Sequence, residues 1–110
     1  MKGLYIAGPI CGVKNYRERF RAAEEAAKGY GWAVLNPANL PKGLDNDRYM
    51  PICLAMLQAA DAVLMLDGWR ESDGAQLEHA MAVYQHKKIF KQAYFGGDIP
   101  PVLRERRDLL

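Results

Sequence analysis

Cysteine is scarce in this sequence. The two cysteines, Cys11 and Cys53, stand in unrelated contexts with no CxxC pair and no Cys/His cluster, which excludes a disulfide framework and a thiolate metal centre. No signal-peptide pattern is present, so a reducing, cytoplasmic setting is expected. Long hydrophobic runs are also absent: the longest, residues 52–66, is interrupted by Gln58 and Asp61 and falls short of a bilayer span. Nor is there an excess of one charge. Fifteen Lys plus Arg stand against thirteen Asp plus Glu, for a net charge of +2, and the basic residues are interleaved with acids. Without a basic stripe, duplex nucleic acid is not an expected partner. There is no Walker motif, and Gly8-x-x-x-Gly12 lacks the GxGxxG spacing of a dinucleotide loop. His79 and His86 share a helix face but have no third ligand at metal-site spacing, so neither a metal nor an organic cofactor is expected.

What is present is a balanced globular composition, half hydrophobic and one quarter charged over 110 residues, enough for a single domain spanning 1–110. Leu4 to Ala7 reads as a short buried strand ending in the Gly8-Pro9 loop. Asn15 with Glu18 three residues on forms a capping-box start for a helix whose buried stripe is Tyr16, Phe20, Ala23, Ala27 and Tyr30, stopped by Gly29 and Gly31. Residues 32–35 form a second strand, closed by Asn36-Pro37. A loop rich in Pro, Gly and Asp leads to a helix starting near 47–50 and ending near Ala60, with Pro51 placed in its first turn. Residues 62–66 suit a central parallel strand covered on both faces. Ser72 or Asp73 caps a helix with Leu77, Ala80, Met81 and Tyr84 on one face, and residues 88–90 resume as a strand. Beyond Gly96-Gly97 and Pro100-Pro101, residues 101–110 read as a terminal helix or tail.

Strands alternating with helices imply an α/β domain: a doubly wound parallel sheet of four to five strands, Rossmann-like or flavodoxin-like, with right-handed crossovers. Ligands of such sheets lie beyond the carboxyl ends of the strands. The loops 8–14, 36–47 and 67–74 therefore converge on one site. The last of them feeds a helix N-terminus, which offers free N–H groups to a phosphate or carboxylate. Glu78 lies one turn inside that helix with small same-face neighbours and no basic partner. On spacing alone the plainer readings are favoured: Glu78 as a solvated glutamate, Tyr5 as strand core and Ser72 as a mere cap. Trp69 with Arg70 reads as a surface aromatic or a base-stacking platform.

Taken together, three segments carry more information: Tyr5-Ile6-Ala7-Gly8-Pro9-Ile10, then Asp47-x-Tyr49-Met50 with Ala60-Asp61-Ala62-Val63, then Gly68-Trp69-x-x-Ser72-x-Gly74-Ala75-x-x-Glu78. This pattern, over roughly residues 3–90, resembles the nucleoside 2-deoxyribosyltransferase superfamily. It looks closest to its small bacterial and phage members and to the 2′-deoxynucleoside 5′-monophosphate N-glycosidases. The resemblance implies Glu78 as the nucleophile that attacks C1′ of the sugar, with Tyr5 beside it. A carboxylate suits an oxocarbenium-like transition state, which water or a second base then resolves by hydrolysis or transfer. It implies Gly8, Pro9, Ile10 and Gly12 as the loop against the nucleoside, with Trp69 and Gly74 also at the site. Ser72 stands where monophosphate hydrolases touch the 5′-phosphate, so a nucleotide is implied rather than a free nucleoside. Cys53 stands where the superfamily keeps a second carboxylate, and it supplies a weaker donor and no charge. Asp47, Asp67 and Asp73 are nearby acids. A nucleotide-binding module impaired in turnover is the alternative implied by Cys53. A homodimer or larger assembly is also implied, with Phe90, Tyr94 and Phe95 as interface aromatics.

Overall fold

The computed structural model describes residues 2–92. The strands are β1 (Gly3–Ala7), β2 (Ala33–Leu35), β3 (Ala62–Met65) and β4 (Lys88–Lys91), and the helices are α1 (Tyr16–Gly29), α2 (Asn46–Ala59) and α3 (Asp73–Tyr84). The four strands form one parallel sheet in the order β2-β1-β3-β4. The chain runs outward to β2, returns across β1 to β3, and continues to β4, so the winding reverses between β1 and β3. This is the doubly wound arrangement the alternation of elements predicts, and all strand carboxyl ends lie on the same edge of the sheet.

The alternation of side chains along β1 and β3 builds two cores. Leu4, Ile6, Ala62, Leu64 and Leu66 face α1, where they pack with Phe20, Ala23, Ala27 and Trp32. Tyr5, Ala7, Val63 and Met65 face the other way, onto Cys53 and Leu57 of α2 and Ala75 and Ala82 of α3. A parallel sheet must be covered on both faces, and the uninterrupted apolar run of β3 meets that need. Tyr5 therefore points to the α2/α3 side for the same reason that Leu4 points to α1.

Several local expectations are corrected. The Asn15 side chain makes no capping bond, and α1 starts with the Arg19 N–H bonded to the Asn15 carbonyl instead. The helix ends as its glycines predict, with Trp32 N–H reaching the Ala27 carbonyl and Gly31 N–H reaching that of Lys28. Pro51 is the sixth residue of α2 rather than part of its first turn; Asp47 and Pro51 are both exposed, so the helix loses its bond on a solvent-facing side, where the loss costs least. On α3 the apolar face is turned largely outward, with Leu77 45% and Tyr84 80% exposed while Met81 packs half-buried on the core, and the inward positions are Ala75, Glu78 and Ala82. Phe90 is core, 3% exposed and edge-on to Trp32 with ring centroids 6.2 Å apart, so it is not an interface aromatic. Tyr94, Phe95 and the tail of residues 101–110 lie outside the described residues. Among the described residues no helix is long and apolar enough to cross a membrane.

Asn36, directly after β2, is buried and fixes the start of the long loop. Its Oδ1 accepts the Ala38 N–H at 2.9 Å, and its Nδ2 donates to Glu24 Oε1 of α1 at 2.8 Å. Asn36→Ala removes both bonds and strands a buried N–H. The expected loss is about 1–3 kcal/mol of stability, read as a lower urea midpoint at unchanged slope.

Candidate active site

The reversal of winding between β1 and β3 opens a crevice at their carboxyl ends. A cavity of about 830 Å³ occupies it, large enough for a nucleotide-sized ligand. The three predicted loops meet there. Gly8, Pro9 and Ile10 form one wall, residues 37–44 a second, and Ser72, Asp73 and Gly74 at the start of α3 a third. Gly8 has to be glycine because a Cβ there would fall 2.9 Å from that of Leu66. α2 closes the remaining side with Tyr49, Met50 and Cys53.

The floor consists of Tyr5, Cys53 and Glu78. Glu78 is 5% exposed on the inner face of α3, and the Tyr5 hydroxyl donates a hydrogen bond to its Oε2. No other hydrogen-bond partner for this carboxylate occurs among the described residues. Burial pushes the Glu78 carboxyl up to about 7, against the opposing pull of the Tyr5 bond. Burial, reinforced by the adjacent Glu78 charge, holds the Tyr5 phenol far above its ordinary range. Tyr5 is thus a fixed donor and not a base. The Cys53 thiol, which interacts with the Tyr5 hydroxyl, is likewise raised by burial and by Glu78 and stays protonated at neutral pH.

Ser72 is the N-cap of α3, its Oγ accepting the Ala75 N–H at 3.2 Å. Its hydroxyl proton is left for another acceptor, so capping and ligand contact are compatible in this residue. The first N–H groups of α3 open onto the same wall. A carboxylate of raised pKa under a cavity, with a phenol donor behind it and a helix N-terminus beside it, is an arrangement for nucleophilic or general-acid chemistry on an anionic ligand. Among the described residues no group of three His, Cys, Asp or Glu side chains converges as a metal site.

Residues 2–91 match the family described as "Domain of unknown function (DUF4406)". The chain belongs to the DUF4406 family. Among solved structures it is similar to the 2-desoxiribosyltransferase from Leishmania mexicana, with a TM-score of 0.66 and 18% identity, over 94% of this chain and 77% of that one. At that identity the likeness is one of fold. No curated protein matches the sequence.

The DUF4406 fold brings most of the sequence-predicted residues together but not all of them. Gly12 sits on an exposed turn at φ +78° and does not itself line the cavity, although its neighbours Cys11 and Val13 do. Trp69 also lies off the lining: its indole stacks on His79 at 4.3 Å between centroids, with Arg70 and Lys91 over the ring. That stack pins the short 3₁₀ turn Trp69–Glu71 to α3. Of the three nearby aspartates, only Asp73 reaches the cavity lining. His86 takes φ +58° just past the end of α3, a helix-stop conformation usually given to glycine.

Other residues of this DUF4406 chain brace the loops around the cavity without having been singled out from sequence. Arg17 of α1 lines the cavity, donates to the Leu40 carbonyl at 3.2 Å and ties that helix to the long loop. Arg19 does the same for the loop after β3, through the Asp67 carbonyl at 2.8 Å. Glu24 gathers Lys28, Asn36 and Asn39. Only the Glu24–Lys28 pair has a local, i,i+4 spacing; no spacing signal marks the other bonds, because each joins segments distant in sequence.

Proposed function

We propose that this protein cleaves the N-glycosidic bond of a 2′-deoxynucleoside 5′-monophosphate by a retaining mechanism. The observation that carries the reading is the buried Tyr5–Glu78 pair at the floor of the cavity, in a fold shared with a deoxyribosyltransferase. A Glu78 carboxylate oxygen attacks C1′ as the C1′–N bond breaks, and the base leaves with the bonding electron pair and takes up a proton. Water, or a second base, then attacks C1′ and releases Glu78. Tyr5 holds the carboxylate in line. Gly8, Pro9 and Ile10 lie against the nucleoside, Ser72 and Gly74 face the phosphate, and the Cys53 thiol offers the departing base a hydrogen bond. The reading takes residues 1–110 as one domain, in the cytoplasm and as a homodimer or larger assembly. No metal or organic cofactor takes part in the proposed steps.

Cys53 favours one second reading. It places a neutral thiol where the resembling sequences have a carboxylate, and loss of a positioned acid removes about 10²- to 10⁴-fold of rate. On that reading the domain binds a nucleotide and turns it over negligibly. Chromatographic detection of free base separates the two, with deoxynucleoside and ribonucleoside monophosphates and the matching nucleosides as substrates and Glu78→Gln as the control. Base released by the wild type and absent with Gln supports the glycosidase. A nucleotide that raises the melting temperature without releasing base supports the binding module.

A further inference from the structure

The mouth of the cavity is framed by an exposed turn, residues 41–44, that is held by a single phenol. The Tyr49 hydroxyl donates to the Pro41 carbonyl at 2.7 Å and accepts the Leu44 N–H at 3.2 Å, bridging the two ends of the turn. Gly43 supplies the φ of +99° that the turn needs. Tyr49 belongs to the helix that also presents Met50 and Cys53 to the cavity. The turn is therefore registered to the floor of the site, and Lys42 at its apex is part of the lining.

The charges around the cavity give Lys42 a task. Among the described residues three carboxylates line it, Glu71, Asp73 and Glu78, and two cations, Arg17 and Lys42. Arg17 is committed: its guanidinium bonds the Leu40 carbonyl and the Tyr16 hydroxyl and lies 5.6 Å from the Tyr16 ring centroid. Lys42 has no hydrogen-bond or ion-pair partner among the described residues. At the start of α3 the free N–H groups favour an anion, but Asp73 and Glu71 flank them. A phosphate entering beside three acids needs a mobile cation within reach, and among the described residues that line the cavity Lys42 is the cation not already engaged.

We propose that Lys42, carried on the turn clipped by Tyr49, selects phosphorylated over unphosphorylated ligands at this cavity. The inference rests on the nucleotide reading above for its class of ligand and is independent of turnover. Calorimetric titration of 2′-deoxynucleoside 5′-monophosphates and the matching nucleosides tests it on the full chain, with Lys42→Gln, Lys42→Arg and Tyr49→Phe as variants. The wild type is expected to prefer the monophosphate. Lys42→Gln should cut that preference about tenfold by weakening the monophosphate alone; Lys42→Arg should retain it, and Tyr49→Phe should reduce it a few-fold by freeing the turn. Absence of monophosphate binding, absence of preference in the wild type, or equal weakening of both ligands by Lys42→Gln would each overturn the proposal. Selective binding without base release would defeat the glycosidase and leave Lys42 in its role. Base release with an unchanged preference in Lys42→Gln would do the reverse.

Discussion

Glu78→Gln is expected to lower base release by about 10³-fold or more while making the protein more stable at neutral and alkaline pH. Glutamine keeps the shape and accepts the Tyr5 hydroxyl bond, but it cannot form the glycosyl ester. The stability gain follows from the raised carboxyl. Below the unfolded value of 4.5 Glu78 is protonated in both states. Between 4.5 and about 7 the unfolded chain ionises while the folded one holds its proton, so wild-type stability falls as pH rises through this window. The full span corresponds to a loss on the order of 3 kcal/mol, complete above pH 7, which the glutamine variant escapes. Urea unfolding at pH 5 and pH 8 should show the gap between variant and wild type widening with pH. A gap that is constant or narrows would remove the buried carboxylate from the account. A residue that destabilises its own fold at working pH is what a site kept for chemistry predicts.

Tyr5→Phe is expected to reduce base release at pH 7 by about 10- to 100-fold and to shift its acidic limb to higher pH. The nucleophile must be ionised, so activity should rise with pH through about 7 in the wild type. The Tyr5 hydroxyl bond favours the carboxylate form; removing it leaves a buried charge with no donor, and the group holds its proton longer. Raising the pH should therefore recover much of the lost rate. A rate–pH profile that drops uniformly without moving would show that Tyr5 acts only by packing. Phenylalanine fills the same space in the core, so the fold is expected to persist.

How much of this was legible from residues alone depended on the range of the interaction involved. Leu4 to Ala7 and residues 62–66 announced strands because their apolar runs are local and sit between turn residues. The α1 stripe Phe20, Ala23, Ala27 was equally plain. On α3 hydropathy points to the wrong face: Leu77 and Tyr84 are the larger apolar residues, yet Glu78 is the one inside. Hydropathy cannot anticipate a carboxylate whose burial is permitted by a phenol 73 residues earlier in the chain. Trp69 was drawn toward the site by its place in a motif, whereas packing gave it to His79. Lys42 and Arg17 carried no signal at all, since their positions depend on loop-to-helix bonds.

The sequence by itself determined the order and kind of the elements, the parallel doubly wound sheet, and the three loops that had to meet at its carboxyl edge. Those follow from periodicity, turn residues and the handedness of crossovers, all of them local or topological. Only the tertiary structure decided that Tyr5, Cys53 and Glu78 share one buried floor. The side-chain alternation of β1 turns Tyr5 toward α2 and α3, and the surrounding packing excludes the water that would otherwise leave Glu78 an ordinary surface acid.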